Sequence, residues 1–279
     1  MGRPDGKKVK NVESMYAIMP YIMVERNDAL NYITEHFEYK PMHDYIIKKR
    51  KEGIHLSHMD IIMAAYVRVL AEYPWINRFI VNKKIYARNE ISVDTIILRP
   101  GSPNATSAKV YLERTDTVFD VNEKFQKLLE EKRSIEEDNS MDKIIKFFLA
   151  VPPLTGFVIG TLKWMDKHGW LPKKIIDISP FHSSLIISNL ASIRTTEIYH
   201  HIYNFGTTSL FITIGKSIKR PVEDKDGNII MKRYMPIGVA MDERICSGSY
   251  FAKVFRRLEE YITNPELLET PTQIINEDY

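Results

Sequence analysis

Three histidines near predicted strands are candidates for proton transfer, because histidine titrates near neutral pH. His182 stands six residues before Ser188, and His200 and His201 are adjacent in the segment IYHHIYNFGT. Six residues of extended chain span about 20 Å, so His182 and Ser188 are not expected to share one subunit's site. For His200 and His201 two interpretations stay open, proton-transfer groups or ordinary packing and surface residues.

The single cysteine, Cys246, offers a thiol but has no histidine near it in the sequence, so we interpret it as a core residue. One cysteine cannot form an internal disulfide, so nothing requires an oxidising compartment. The polar start MGRPDGKKVKNVES lacks the apolar stretch of a secretory signal. These features predict a cytoplasmic protein.

Composition excludes several classes of protein. The chain has 279 residues, of which 44% are hydrophobic and 27% charged, as in soluble globular proteins. Its 39 basic and 36 acidic residues give a net charge of +3, which offers no strong field for nucleic acid. No glycine-rich phosphate loop, paired-cysteine site or helical histidine pair occurs. We therefore predict no nucleic-acid partner and no metal.

Helical and strand patterns alternate along the chain. ITEHFEYK alternates like a strand, a helix follows from Pro41 to Gly53, and Ser57 caps a second helix that Pro74 ends. Asp226-Gly227 predicts a tight hairpin turn, and Gly248 opens a helix with one apolar stripe. The remaining predicted elements are the strands KIYAR, ISVDTIIL, AKVYLER, SSLIISNL and SLFITIGKSI and a helix from Val118 to Glu136.

Residues 147–162, FFLAVPPLTGFVIGTL, form the longest uncharged stretch, yet 16 residues fall short of the roughly 20 needed to span a bilayer. A buried or interfacial helical hairpin is the favoured interpretation. Trp164 and Trp170 follow among basic residues, as in helices that lie on a membrane surface. The segment 147–170 is thus open to three interpretations: core, lid over an apolar pocket, or peripheral membrane contact.

Several linked segments resemble the chloramphenicol acetyltransferase-like superfamily, and in particular the catalytic domain of the 2-oxo acid dehydrogenase acyltransferase subunits. They are LSHMDIIMAAYVRVLAEYPWIN, IISNLASI, IIMKRYMPIGVAMD and DERICSG followed by a helix and NPELLE, in the family order. The resemblance implies an α/β two-layer sandwich with a mixed sheet and helices packed on one side. It implies a single catalytic domain over residues 1–279, with a basic arm at about 1–14 and an apolar insertion at about 140–175. The lack of a lipoyl domain and its attachment site suggests a stand-alone member.

The family signature at the last strand-to-helix junction is His-x-x-x-Asp-Gly, and here it is Glu243-Arg-Ile-Cys-Ser247-Gly248. In the family the histidine removes a proton from the acceptor and the aspartate binds an arginine, which matches Arg26. The resemblance implies Glu243 as the base and predicts that Ser247 leaves Arg26 without a partner. A base role requires burial that raises the glutamate pKa from about 4.3. The alternative is an exposed carboxylate paired with Arg244 or a lysine.

The resemblance also implies a serine that donates a hydrogen bond to the oxyanion, and Ser188 matches it. A serine at a strand end that bonds neighbouring backbone is the alternative.

The resemblance therefore implies an acyltransferase acting on groups other than aminoacyl. The expected reaction moves an acyl group from an acyl-CoA or similar thioester to a small hydroxyl, amine or thiol acceptor, with the coenzyme A thioester as co-substrate. A homotrimer with sites between subunits is expected. Because the signature is altered, an inactive trimer that acts in binding or scaffolding remains the alternative.

Overall fold

The computed structural model describes residues 3–98, 105–134, 150 and 152–278. The helices are α1 (Ser14–Ile22), α2 (Tyr39–Lys51), α3 (His58–Glu72), α4 (Val118–Ser134), α5 (Pro152–His168), α6 (Lys173–Ile178) and α7 (Gly248–Thr263). The strands are β1 (Gly6–Lys8), β2 (Leu30–Glu38), β3 (Arg78–Val81), β4 (Lys84–Arg88), β5 (Ile91–Leu98), β6 (Ala105–Leu112), β7 (Leu185–Asn189), β8 (Leu210–Ile214), β9 (Ile218–Glu223) and β10 (Ile229–Asp242).

A mixed sheet organises the described residues. Its strand order is β2-β10-β8-β7-β5-β6, and β9 pairs with the first half of β10. Strand β7 is parallel to both β5 and β8, whereas the other neighbours are antiparallel. A second, small sheet has the order β1-β4-β3. The mixed sheet predicted by the resemblance is confirmed.

Helices cover one face of the large sheet. Alternate residues of the central strands, such as Ile187, Ile212 and Val239, join one apolar core with α3 and α7. Burial of each such side chain contributes about 1.5–3 kcal/mol. Helix α3 is buried on every side from Met59 to Glu72, because α4, α7 and the sheet surround it. Ser57 and Asp60 form its capping box, which confirms the predicted start of this helix.

An irregular segment, residues 195–204, covers part of the other face. The backbone N–H of Ile198 donates to Thr213 Oγ1 at 3.1 Å, and this hydroxyl donates to the Ile198 carbonyl at 2.6 Å. The His200 ring stacks on Phe211 with centroids 4.2 Å apart. A Cβ at Gly238 would lie 2.5 Å from the Ile198 carbonyl oxygen, so this close approach requires glycine.

Most predicted elements are present, with shifted ends. β4 and β5 coincide with KIYAR and ISVDTIIL, whereas α2 begins at Tyr39, before Pro41. The predicted strand SLFITIGKSI ends early, because β8 stops at Ile214 and only the last residue of the segment, Ile218, belongs to β9. The predicted turn is confirmed, since Gly227 has φ +81° between β9 and β10.

The apolar insertion lies only partly within the described residues, since 135–149 and 151 fall outside them. In α5 only Asp166 is buried, and the Phe157 side chain is 72% exposed. Of the three interpretations, core burial does not fit residues 152–168, and the lid and the membrane contact stay open. Asp166 anchors the helix by accepting hydrogen bonds from Arg3. Within the described ranges, no helix combines the length and apolarity that crossing a bilayer requires.

Candidate active site

Glu243 stands directly after β10 and is held at both its backbone and its side chain. Its N–H donates to the Ala29 carbonyl at 2.9 Å, and its Oε2 accepts a 2.7 Å hydrogen bond from Asn31 Nδ2. The side chain is half-buried. Arg244 does not pair with it, and neither does any lysine of the described part of the chain. The expected alternative of a carboxylate in a surface ion pair is therefore wrong.

A buried ion cluster lies beneath Glu243. Asp242 is 0% exposed and accepts hydrogen bonds from Arg244 Nε at 2.8 Å and Nη2 at 2.7 Å. Arg26 Nε lies 3.6 Å from Asp242 Oδ2, and the Arg26 guanidinium donates to the carbonyls of Tyr203 and Gly206. The prediction that Arg26 lacks a partner is thus wrong, because Asp242 supplies the countercharge from the opposite side of the junction.

Ser247 is the N-cap of α7, whose first turn it stabilises. Its hydroxyl accepts a 3.1 Å hydrogen bond from the Tyr250 N–H and lies 2.9 Å from Ser249 Oγ. The structure gives Ser247 a role in helix capping, and Ser247 does not contact the arginine. Cys246 is 1% exposed, and burial raises the pKa of its thiol, as expected of a core residue.

The C-terminal residues support this junction from the other side. Arg78 makes two hydrogen bonds to Asp278, at 2.8 and 2.6 Å, and both side chains are buried. Arg78 also donates to the Ile245 carbonyl at 3.4 Å. The loop that carries Glu243 is therefore tied to both β3 and the end of the chain.

Ser188 lies near the end of β7 and lines a cavity of about 630 Å³. Its hydroxyl forms no hydrogen bond with another described residue, so the alternative of a serine bonding neighbouring backbone receives no support there. The cavity combines apolar side chains from β5 and α4 with a few hydroxyl and amide groups. Its lining includes Ile96, Phe125, Leu129, Asn189, Ser192 and Ile193.

Ser188 and Glu243 do not meet within one chain. Through β8, the strand register places Ser188 in the row of Gly238. Glu243 follows Gly238 by five residues, about 17 Å along the strand, and two strand spacings add about 10 Å across the sheet. The two residues are therefore candidate half-sites that one chain keeps apart, as expected if the site is shared between subunits.

The histidines contact neither half-site through a hydrogen bond among the described residues. His182 is buried before β7, with Nδ1 2.8 Å from Ser179 Oγ and Nε2 3.4 Å from Asp166, and burial lowers its pKa. His200 packs on Phe211, and His201 contacts Tyr203 edge-on. These contacts favour the packing interpretation for both. No three histidine, cysteine or acidic side chains in the described ranges are placed to hold a metal.

Sequence reasoning missed Asn31 and the role of Asp242. Asn31 faces Met241 across the β2–β10 pairing, which brings its amide to Glu243. No local pattern marks a pairing between strands about 200 residues apart. The family pattern places the carboxylate that binds the arginine at position 247. In this chain the carboxylate is Asp242, which directly precedes the signature.

Comparisons with known proteins support the resemblance. The family model of the 2-oxoacid dehydrogenases acyltransferase (catalytic domain) matches residues 181–270. No curated protein sequence matches significantly. A probable dihydrolipoamide acetyltransferase from Listeria monocytogenes 4b F2365 is similar in structure, with a TM-score of 0.59 and 14% identity over 98% of this chain and 99% of that one.

Two further solved structures are similar to this chain. The dihydrolipoamide acetyltransferase of Azotobacter vinelandii, studied for the catalytic roles of a serine, a histidine and an asparagine, gives a TM-score of 0.56 with 13% identity over 94% of each chain. A chloramphenicol acetyltransferase gives 0.55 with 13% identity over 92% of this chain and 99% of that one. The predicted chloramphenicol acetyltransferase-like fold is confirmed, and residues 181–270 are similar to the acyltransferase catalytic domain.

Proposed function

We propose that the protein transfers an acyl group from an acyl-CoA or a similar thioester to a small hydroxyl, amine or thiol acceptor. The observation that carries the proposal is the Ser188 hydroxyl, which has no hydrogen bond to a described residue and lines the 630 Å³ cavity. A hydroxyl without a competing hydrogen bond can donate to the oxyanion that forms during acyl transfer. Acyl transfer also suits the match of residues 181–270 to the acyltransferase model.

In the proposed reaction, Glu243 takes the proton of the acceptor while the acceptor's heteroatom attacks the thioester carbonyl carbon. The hydrogen bond from Asn31 holds Oε2, so Oε1 is the atom that receives the proton. The carbonyl oxygen becomes an oxyanion, to which Ser188 donates. Collapse of the intermediate breaks the C–S bond, and the leaving thiolate recovers the proton from Glu243. The products are the acylated acceptor and the free thiol.

Ser188→Ala should lower the rate of thiol release from acyl-CoA about 100-fold or more, because one preorganised oxyanion donor contributes this much. The assay is thiol release from a panel of acyl-CoA donors with mixed acceptors. Ser192→Ala is the matched control, since Ser192 lines the same cavity but donates to the Asn189 carbonyl at 2.6 Å. Equal rates for the two variants would reject Ser188 as the donor. A parent that turns over no donor would instead favour the inactive binding or scaffolding trimer.

The separation of the half-sites leads to a prediction about assembly. A chain of 32.6 kDa should form an oligomer, because only a neighbour can place its Glu243 beside Ser188, and the resemblance implies that the oligomer is a homotrimer. Light scattering should therefore give about three times the mass of the chain. A stable monomer at micromolar concentration would contradict both the assembly and the shared site.

A further inference from the structure

A second cavity, of about 340 Å³, shares no lining residue with the Ser188 cavity. Its walls come from the residues after α1, the β3–β4 turn, the last turns of α5, the segment 204–206 and Arg244. It thus lies between the β10–α7 junction and the helix α5. The volume falls within the range of small-molecule sites, about 300–1,000 Å³.

Cationic side chains dominate this cavity. Five line it against two acidic side chains, Glu25 and Asp166. Asp166 already forms an ion pair with Arg3, so it does not offset the cations. The five cationic residues are Arg26, Lys83, Lys163, Lys167 and Arg244.

The charges of the two arginines are only partly balanced. Asp242 is the carboxylate near both, and its two oxygens accept hydrogen bonds from Arg244. Arg26 is 4% exposed, and its Nε has no hydrogen-bond partner. That Nε is fully buried and lies 3.6 Å from Asp242 Oδ2, so the arginines act on a ligand in the cavity through their charge. One carboxylate faces two guanidinium groups, which leaves a positive charge at the base of the cavity.

The three lysines are exposed at the mouth of the cavity. None of them forms an ion pair with any residue in the described ranges. Lys83 is held in a turn in which Asn82 and Lys83 both have positive φ, 48° and 60°. Lys163 and Lys167 are one helical turn apart on α5 and therefore lie on the same face.

We propose that this cavity binds a phosphate group carried by a small molecule or a lipid headgroup. A phosphate offers several acceptor oxygens and a charge of about −2, which match three ammonium groups at the rim and the positive charge of two guanidinium groups at the base. The proposal concerns a site separate from the acyl-transfer half-sites and does not depend on that activity.

The experiment measures binding of inorganic phosphate, pyrophosphate and glycerol 3-phosphate by calorimetry with the full chain at low ionic strength. The parent should bind at least one of these probes, and Lys163→Gln/Lys167→Gln should weaken binding about tenfold. Lys48→Gln/Lys51→Gln on α2 removes the same charge from exposed positions outside the cavity and should bind like the parent.

Co-sedimentation with vesicles distinguishes the two sources of the phosphate. Phosphatidylcholine vesicles with and without phosphatidic acid are compared for the parent and both double variants. Binding that requires phosphatidic acid and both α5 lysines identifies a lipid headgroup, whereas binding of soluble probes alone identifies a small molecule. The proposal is overturned if neither soluble probes nor phosphatidic acid vesicles bind, if vesicles bind without phosphatidic acid and no soluble probe binds, or if the two double variants behave alike.

Discussion

Glu243→Gln should slow acyl transfer about 100-fold or more, because glutamine keeps the size and the hydrogen bond from Asn31 but cannot take up a proton. The rate is measured as thiol release with the donor and acceptor that the parent uses best. Glu223→Gln, an exposed position on β9, is the control and should leave the rate unchanged. A Glu243→Gln enzyme as fast as this control would remove Glu243 from the mechanism.

Mixed assemblies test whether the two half-sites come from different chains. A Glu243→Gln chain and a Ser188→Ala chain are each expected to be nearly inactive alone. Random co-assembly should restore about a quarter of the sites, those in which an unaltered Glu243 meets an unaltered Ser188 from the neighbour. No recovery in mixed trimers of proven composition would mean that the site lies within one chain.

Asp242→Asn should lower the free energy of unfolding by about 3–5 kcal/mol, because it leaves the buried guanidinium groups of Arg26 and Arg244 without their nearest carboxylate. Urea denaturation measures the change. Asp44→Asn is the matched control, since it removes an exposed ion pair with Lys40 on α2 and should change stability by less than about 1 kcal/mol. Similar denaturation midpoints for the two variants would show that the cluster does not depend on this carboxylate.

Local patterns predicted the elements well where the cause of the structure is local. The capping box at Ser57, the turn at Asp226-Gly227 and the stripe of α7 all depend on residues within one or two turns of each other. The complete burial of α3 has a cause that is not local. Its polar residues Arg68 and Glu72 are also buried, because Arg68 donates to carbonyls near the C-terminus and Glu72 pairs with Arg257 of α7.

In the candidate site, too, the sequence predicted local features and missed contacts between distant parts of the chain. The resemblance identified Glu243 and Ser188 as positions, but the partners that hold Glu243 and Arg26 come from distant parts of the chain. Composition left three interpretations of the insertion open, and core burial is the one that α5 does not fit, since Asp166 is its one buried residue. An apolar sequence predicts that its side chains will avoid water, but it does not specify which surface they will contact.

The position of β10 has a consequence for synthesis. This strand is the last of the described strands in sequence, yet it lies between β2 and β8 and pairs with both. Until residue 242 leaves the ribosome, the hydrogen-bonding edges of β2 and β8 that it will join stay open, and open edges pair readily with other chains. The nascent protein therefore passes through a long aggregation-prone interval, which ends only when β10 inserts between β2, made much earlier, and β8, made shortly before it.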